Sequence, residues 1–272
     1  MKRRSLAVIT IVVCYALPIA AQQTKIHDFS VGMGYIQTMN SSTLPSGLPG
    51  VSTSFDYLYL KSTETNTYWG VGVKGQYAFL QNSTAEDWMK EWFLPAFRQA
   101  ELQVSGVWLK QLPVKVDNLK LYAGAGLSLN AVLHYIEQPP KGYSDFYSNA
   151  ELNWYLSPDL LLKADYTIKK SCFSAIFSLP VVFAGNFTKF HYAGFDRAKY
   201  LKNNIIPNTF TFVHRIFQPT ASLSYRYSLF STPKTAWQLQ IKYVYEGLDL
   251  DLKTLIERKE QHDFRVGFVC TM

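Results

Sequence analysis

The feature that most constrains this chain is an alternation of apolar and polar residues with a period of two, renewed in run after run from Asp28 onward. A period of two sends successive side chains to opposite faces of an extended strand, so each run reads as a strand with one apolar and one polar face. Phe29, Val31, Met33 and Tyr35 oppose Asp28, Ser30, Gly32 and Gly34, and Trp69, Val71, Val73, Tyr77 and Phe79 oppose Gly70, Gly72, Lys74, Gln76 and Ala78. Further runs fall at 119–134, 146–156, 160–169, 221–229, 237–246 and 264–272. They are about 9 to 15 residues long, enough for the ~9–11 residues with which a tilted strand crosses the hydrocarbon, whereas strands of soluble proteins average ~5–6.

The faces agree with that length. One carries Leu, Val, Trp, Tyr and Phe; the other carries Gly, Ser, Asn, Gln and scattered charges, which suit a cramped interior better than a water-facing surface. Aromatic residues make up 15% of the chain and charged ones only 17%, a balance that gives part of the outside to lipid. Tyr35, Trp69, Phe79, Trp108, Tyr135, Phe146, Trp154, Trp237 and Tyr245 fall near run ends, as rings at the headgroup level do. The expected fold is all-β: an antiparallel transmembrane β-barrel of ten to twelve strands with long extracellular loops.

The first residues carry a different signal. Lys2, Arg3 and Arg4 precede an apolar run from Leu6 to Ala16, which closes on Leu17-Pro18-Ile19-Ala20-Ala21. This is the charged, apolar and small-residue pattern of a secretory signal peptide, with cleavage expected after Ala21. The domains are therefore a signal peptide over 1–21 and a barrel over 22–272. Removing the three cations lowers the formal charge from +7 to +4, too small a surplus for a nucleic-acid partner. No apolar stretch in 22–272 matches the ~20 residues of a spanning helix. Cys172 and Cys270, the cysteines beyond the signal, are too few to staple a secreted domain.

With the first strand running outward, connections should alternate between outer loops and short periplasmic turns. Loops are expected at 39–50, 80–96, 136–143, 172–219 and 247–261, and turns at 61–66, 111–118, Leu156-Ser157-Pro158 and 231–234. Treating 172–219 as one loop gives ten strands; reading strands in 173–184 and 209–217 gives twelve. Ser83 with Glu86 forms a helical capping box ended by Pro95, and Leu248, Leu252, Leu255 and Ile256 repeat at helical spacing.

The signal peptide, dyad-repeat strands with aromatic ends and alternating connections together resemble the small outer-membrane β-barrel families of Gram-negative bacteria. The resemblance implies an outer-membrane location, contact with lipids and lipopolysaccharide, and insertion by the barrel-assembly machinery. Such barrels finish on an aromatic residue; here Phe268 is the last aromatic and Met272 ends the sequence. The basic group Lys189, Arg197, Lys199, Lys202 and Arg215 is placed to meet lipopolysaccharide phosphates.

The inward parity collects an ionic network: Asn149, Glu151, Lys163, Asp165, Arg226, Lys242 and Arg265. A three-residue turn at 156–158 would set Glu151 opposite Lys163 and Asn149 opposite Asp165. The leading expectation is a structural barrel, or one passing small solutes to a limited extent. A lipid-modifying hydrolase with a rim site at His134 is the enzymatic alternative, with Ser128, Asn130, Ser144, Asp145 and Tyr147 nearby. A soluble exported β-sandwich is the third. The five histidines are scattered and no cysteine cluster accompanies them, so neither metal nor cofactor is expected.

Overall fold

The computed structural model describes residues 24–40, 44–63, 66–80, 97–136, 150–186, 209–232, 234–252 and 255–272. They form thirteen strands: β1 Lys25–Asn40, β2 Leu44–Ser62, β3 Thr67–Leu80, β4 Phe97–Leu112, β5 Leu119–Ile136, β6 Ala150–Ile168, β7 Ser171–Pro180, β8 Val182–Asn186, β9 Thr209–Phe212, β10 Ile216–Phe217, β11 Thr220–Ser231, β12 Ala236–Leu252 and β13 Leu255–Thr271. Ten of them close a barrel in which each strand is antiparallel to both neighbours, in the order β5, β4, β3, β2, β1, β13, β12, β11, β7, β6 and back to β5. Strands β8, β9 and β10 extend the wall at one end. The termini of the described residues meet at the other end, where Lys25 and Met272 exchange backbone hydrogen bonds of 2.7 and 2.8 Å.

The barrel's stagger can be read from the pairs. One circuit from Lys163 passes Ile176, Ser222, Val244, Asp263, Gly34, Ser52, Ala78, Gln99 and His134. It returns to β6 at Glu151, twelve residues from where it started. Ten strands with that stagger tilt by about 40° and place the backbone about 10 Å from the axis.

The outward parity is apolar, as expected. Val31, Met33, Phe55, Val71, Leu102, Val104, Leu127, Leu129, Leu160, Leu162, Ile241, Phe264 and Val266 are exposed on it. On β3 the band runs from Trp69 to Phe79, a span of ten residue steps that rises about 25 Å at this tilt, the height of an outer-membrane apolar belt. Aromatic rings edge it. At the end with the termini Trp69 pairs in register with Trp108 and meets Tyr59 edge to face. At the other end Tyr35, His262 and Tyr245 sit side by side on three strands, and Arg98 stacks over Phe79.

Turns are short where the termini lie: 63–66, 113–118, 169–170 and 232–235. Asn66, Asn118 and Lys169 adopt positive φ there. At the far end 81–96, 137–149 and 187–208 separate consecutive strands by many residues, whereas only 41–43 and 253–254 separate β1 from β2 and β12 from β13. The loop expected at 39–50 is therefore mostly strand, and that at 247–261 is a hairpin. The helical reading of Leu248, Leu252, Leu255 and Ile256 is replaced by β12 and β13, because Leu248, Leu250 and Leu252 alternate with Asp249 and Asp251 at period two. The capping box at Ser83 lies outside the described residues.

Two more expectations are corrected. The turn at Leu156-Ser157-Pro158 does not exist, since β6 runs straight through it. Leu152, Trp154, Leu156, Leu160 and Leu162 share one parity, and a turn would have broken it. Pro158 is tolerated because it stands where β6 changes partner from β7 to β8, so its missing N–H falls at an irregularity in the ladder. Its carbonyl accepts from the Val181 N–H at 3.0 Å. Residues 172–219 likewise contribute strands on both sides of 187–208. Ten strands result because one expected strand too many, at 160–168, offset one too few, at 171–186.

Candidate functional site

Because the pleat is regular, the parity that turns away from the apolar band turns into the barrel. Eight charged side chains there form one contiguous, charge-balanced net. Four are carboxylates, Asp56, Glu101, Glu246 and Asp263, and four are cations, Lys74, Lys242, Lys259 and Arg265. Arg265, only 1% exposed, lies 2.8 Å from Asp263, 3.5 Å from Asp56 and 3.8 Å from Glu246. Lys242 pairs with Asp56, and Lys74 with Glu246. Lys259 joins Glu246 at 3.7 Å to Glu101 at 2.6 Å. The net thus links β2, β3 and β4 to β12 and β13 through the interior. Gly34 on β1 makes room for it: a Cβ there would strike the Asp263 carboxylate and the His262 carbonyl.

Smaller pairs flank this net. Arg226 reaches Asp28 at 3.1 Å and Lys163 reaches Asp165 at 2.6 Å. Asp159 accepts from the hydroxyls of Ser128 and Ser157. Between the net and the small side chains of β5, β7 and β11 lies a cavity of about 170 Å³, lined by Ser128, Asp159, Ser178, Ser222, Lys242 and Arg265 among others.

Lys163, Asp165, Arg226, Lys242 and Arg265 therefore all turn inward, but with other partners than sequence spacing suggested. Glu151 does not face Lys163. In register it pairs with His134, while Lys163 pairs with Tyr122 and Ile176. The expected cross-strand pair rested on the turn that β6 lacks. Asn149 lies outside the described residues. Asp56, Glu101, Asp159, Lys259 and Asp263 escaped the sequence reading. Lys259 was assigned to a loop and Asp159 to the edge of a turn, and the alternation of Ser52, Ser54 and Asp56 with Val51, Thr53 and Phe55 was the signal for the second strand.

His134 is buried, with its Nε2 3.8 Å from the Glu257 carboxylate and its Nδ1 without a hydrogen-bond partner among the described residues. Ser128 lies six residues along the strand, bonded to Asp159 instead. Ser144, Asp145 and Tyr147 lie outside the described residues, as do Lys189, Arg197, Lys199 and Lys202 of the basic group. Cys172 and Cys270 are free thiols. Among the described residues no trio of His, Cys, Asp or Glu is arranged to hold a metal ion.

Beyond the net the interior changes character. Ile36, Leu48, Ala78 and Leu80 form one buried apolar cluster against β1–β3, and Tyr155, Phe183, Ile216 and Leu250 form another against β6, β8, β10 and β12. The outer surface at that height is charged, with Asp249, Arg258 and Glu260 exposed.

No protein-family model matches the sequence, and no curated protein matches it. Solved structures do resemble the fold. The outer membrane protease OmpT from Escherichia coli superposes with a TM-score of 0.50 at 9% identity, over 95% of this chain and 99% of that one. The outer membrane protein OprG from Pseudomonas aeruginosa follows at 0.34 and 9% identity, over 93% and 96%. Neisserial surface protein A gives 0.31 and 12% identity, over 92% and 98%. At such identities the likeness concerns architecture alone. The closed circuit of ten antiparallel strands, the apolar band and the OmpT superposition lead to one conclusion: the chain has the all-β fold of the outer-membrane β-barrel proteins of Gram-negative bacteria.

Proposed function

We propose that residues 1–21 are a signal peptide and that the mature chain from Gln22 resides in the outer membrane as a structural barrel, passing small solutes only to a limited extent. The observation that carries this reading is the ion-paired net, which ties one side of the interior to the other beside a cavity of about 170 Å³. Lipids and lipopolysaccharide are the partners of the outer surface in this reading, and the barrel-assembly machinery inserts the chain.

The test has two stages. Outer-membrane fractionation with a band that shifts on boiling in SDS is expected; a soluble protein without a shift would end the membrane reading. In planar bilayers the wild-type protein should then conduct little above background. Glu246→Ala removes the carboxylate shared by Lys74, Lys259 and Arg265, so its conductance should rise and favour anions. Porin-sized wild-type conductance would contradict the closed interior.

A further inference from the structure

The lipid-facing wall is not evenly filled. Ala164 on β6 and Ala175 on β7 are register partners, and their row continues to Leu223, Tyr243 and Phe264 on β11, β12 and β13. The next row toward the termini pairs Tyr166 with Phe173 and Phe173 with Tyr225. Two methyl groups therefore stand where their neighbours carry rings or a leucine, and a groove of about 470 Å³ opens over them on the outside of the barrel. Its walls include the exposed side chains of Phe173, Leu223, Tyr225 and Phe264. The Tyr243 hydroxyl is bonded to His262 Nδ1 at 2.6 Å, so this residue offers the groove its ring.

Toward the termini the groove stops at a polar edge. Tyr166 lies three residues from Lys169, as Trp69 lies three from Asn66, so Tyr166, Phe173 and Tyr225 belong to the same aromatic edge as Trp69. The hydroxyls of Tyr225 and Ser171 share a hydrogen bond of 3.0 Å there. The turn between β6 and β7 follows, and its Lys169 and Lys170 are both exposed. They are part of a basic collar. Lys110, Lys115, Lys120 and Lys234 are exposed at the same end, where Asp117 is the one exposed acidic side chain among the described residues. Lysine stems are long and apolar enough to lie along the aromatic edge while their ammonium groups stay in the headgroup layer.

We propose that this groove and the two lysines beside it bind an anionic phospholipid of the leaflet nearer the termini, with an acyl chain over Ala164 and Ala175 and the phosphate held by Lys169 and Lys170. This rests on the membrane reading above. The order of chemistry along the β6–β7 hairpin is that of the lipid itself: apolar groove, hydroxyls of Tyr225 and Ser171, then cations. Charge selects the class. A zwitterionic headgroup carries its own cation against the phosphate, whereas six exposed lysines set against Asp117 leave a surplus that a headgroup of net negative charge neutralises.

Native mass spectrometry tests this on the protein purified from outer membranes in an uncharged detergent and titrated with phosphatidylglycerol or phosphatidylethanolamine. Each variant is first checked for the boiling shift. The wild-type protein should retain one phosphatidylglycerol in preference to phosphatidylethanolamine. Ala175→Phe fills the groove and should abolish that retention, with Ala164→Phe standing in if the first variant does not fold. Lys169→Asn combined with Lys170→Gln removes both charges, and asparagine suits the positive φ at position 169. This pair should weaken phosphatidylglycerol by roughly tenfold and erase the preference, while Lys115→Gln with Lys120→Gln should leave both unchanged. Undiminished retention with the groove filled would overturn the site. Equal retention of the two lipids by the wild type, or an equal loss from the Lys115 and Lys120 pair, would overturn the assignment of the phosphate. A lipid-free dimer would make this face a contact between copies instead. Absence of the chain from outer membranes would overturn the membrane reading itself.

Discussion

Strand β12 crosses two environments and wears opposite polarity in each. In its first half Gln240 and Lys242 are buried inside while Ile241 faces out; in its second half Leu250 is buried inside while Asp249 and Asp251 face out. Strand β13 makes the same change on its outer face, from Phe264 and Val266 to Arg258 and Glu260. The pleat is continuous through both halves, so geometry does not cause the switch. What changes is the medium outside. Next to hydrocarbon the outer face must be apolar and charge is affordable only within, where partners lie close; above the aromatic edge water takes the charges and the interior packs like that of a soluble barrel.

The sharpest way to break this comparison is to remove a charge from the lower interior. Arg265→Leu leaves Asp263 and Asp56 without their shared cation, and breaking a buried pair in this way should cost about 3–5 kcal/mol, read as a lower urea midpoint in detergent or bilayers. A smaller contrast places the same new charge on the outer face of each half. Ile241→Lys should cost about 2–4 kcal/mol in bilayers, and Asp251→Lys, ten residues along the strand, within about 0.5 kcal/mol. The smallest effect belongs to the exposed pair of Arg258 and Asp249 at 3.4 Å. Arg258→Ala should change the midpoint by less than about 1 kcal/mol, and added salt should erase the difference.

The same comparison explains what the sequence made legible. Where the outside is lipid the alternation has one sign, and Phe29 to Tyr35 or Trp69 to Phe79 can be assigned by eye. Where the outside is water the sign reverses, and 247–261 lost its strand character to the reader. Leucines spaced three and four apart then suggested a helix, although Leu248, Leu250 and Leu252 keep the period of two. Pro158 misled differently: proline ends most strands, but the pairing irregularity that tolerates it involves Val181, far along the chain. The inward parity of Lys163, Arg226, Lys242 and Arg265 was readable from local pattern, yet their partners were not. Lys242 meets Asp56, and Arg226 meets Asp28, across a circuit whose stagger no local window contains.

A nitroxide scan of residues 238–252 tests the reversal most directly, by collision with oxygen in the lipid phase and with a water-soluble nickel complex. The odd positions should favour oxygen as far as Tyr245 and the nickel complex from Asp249 on, while Leu248, Leu250 and Leu252 stay shielded from both. A pattern that repeats at helical spacing above Glu246, with those leucines open to water, would contradict the continuous strand and its change of polarity.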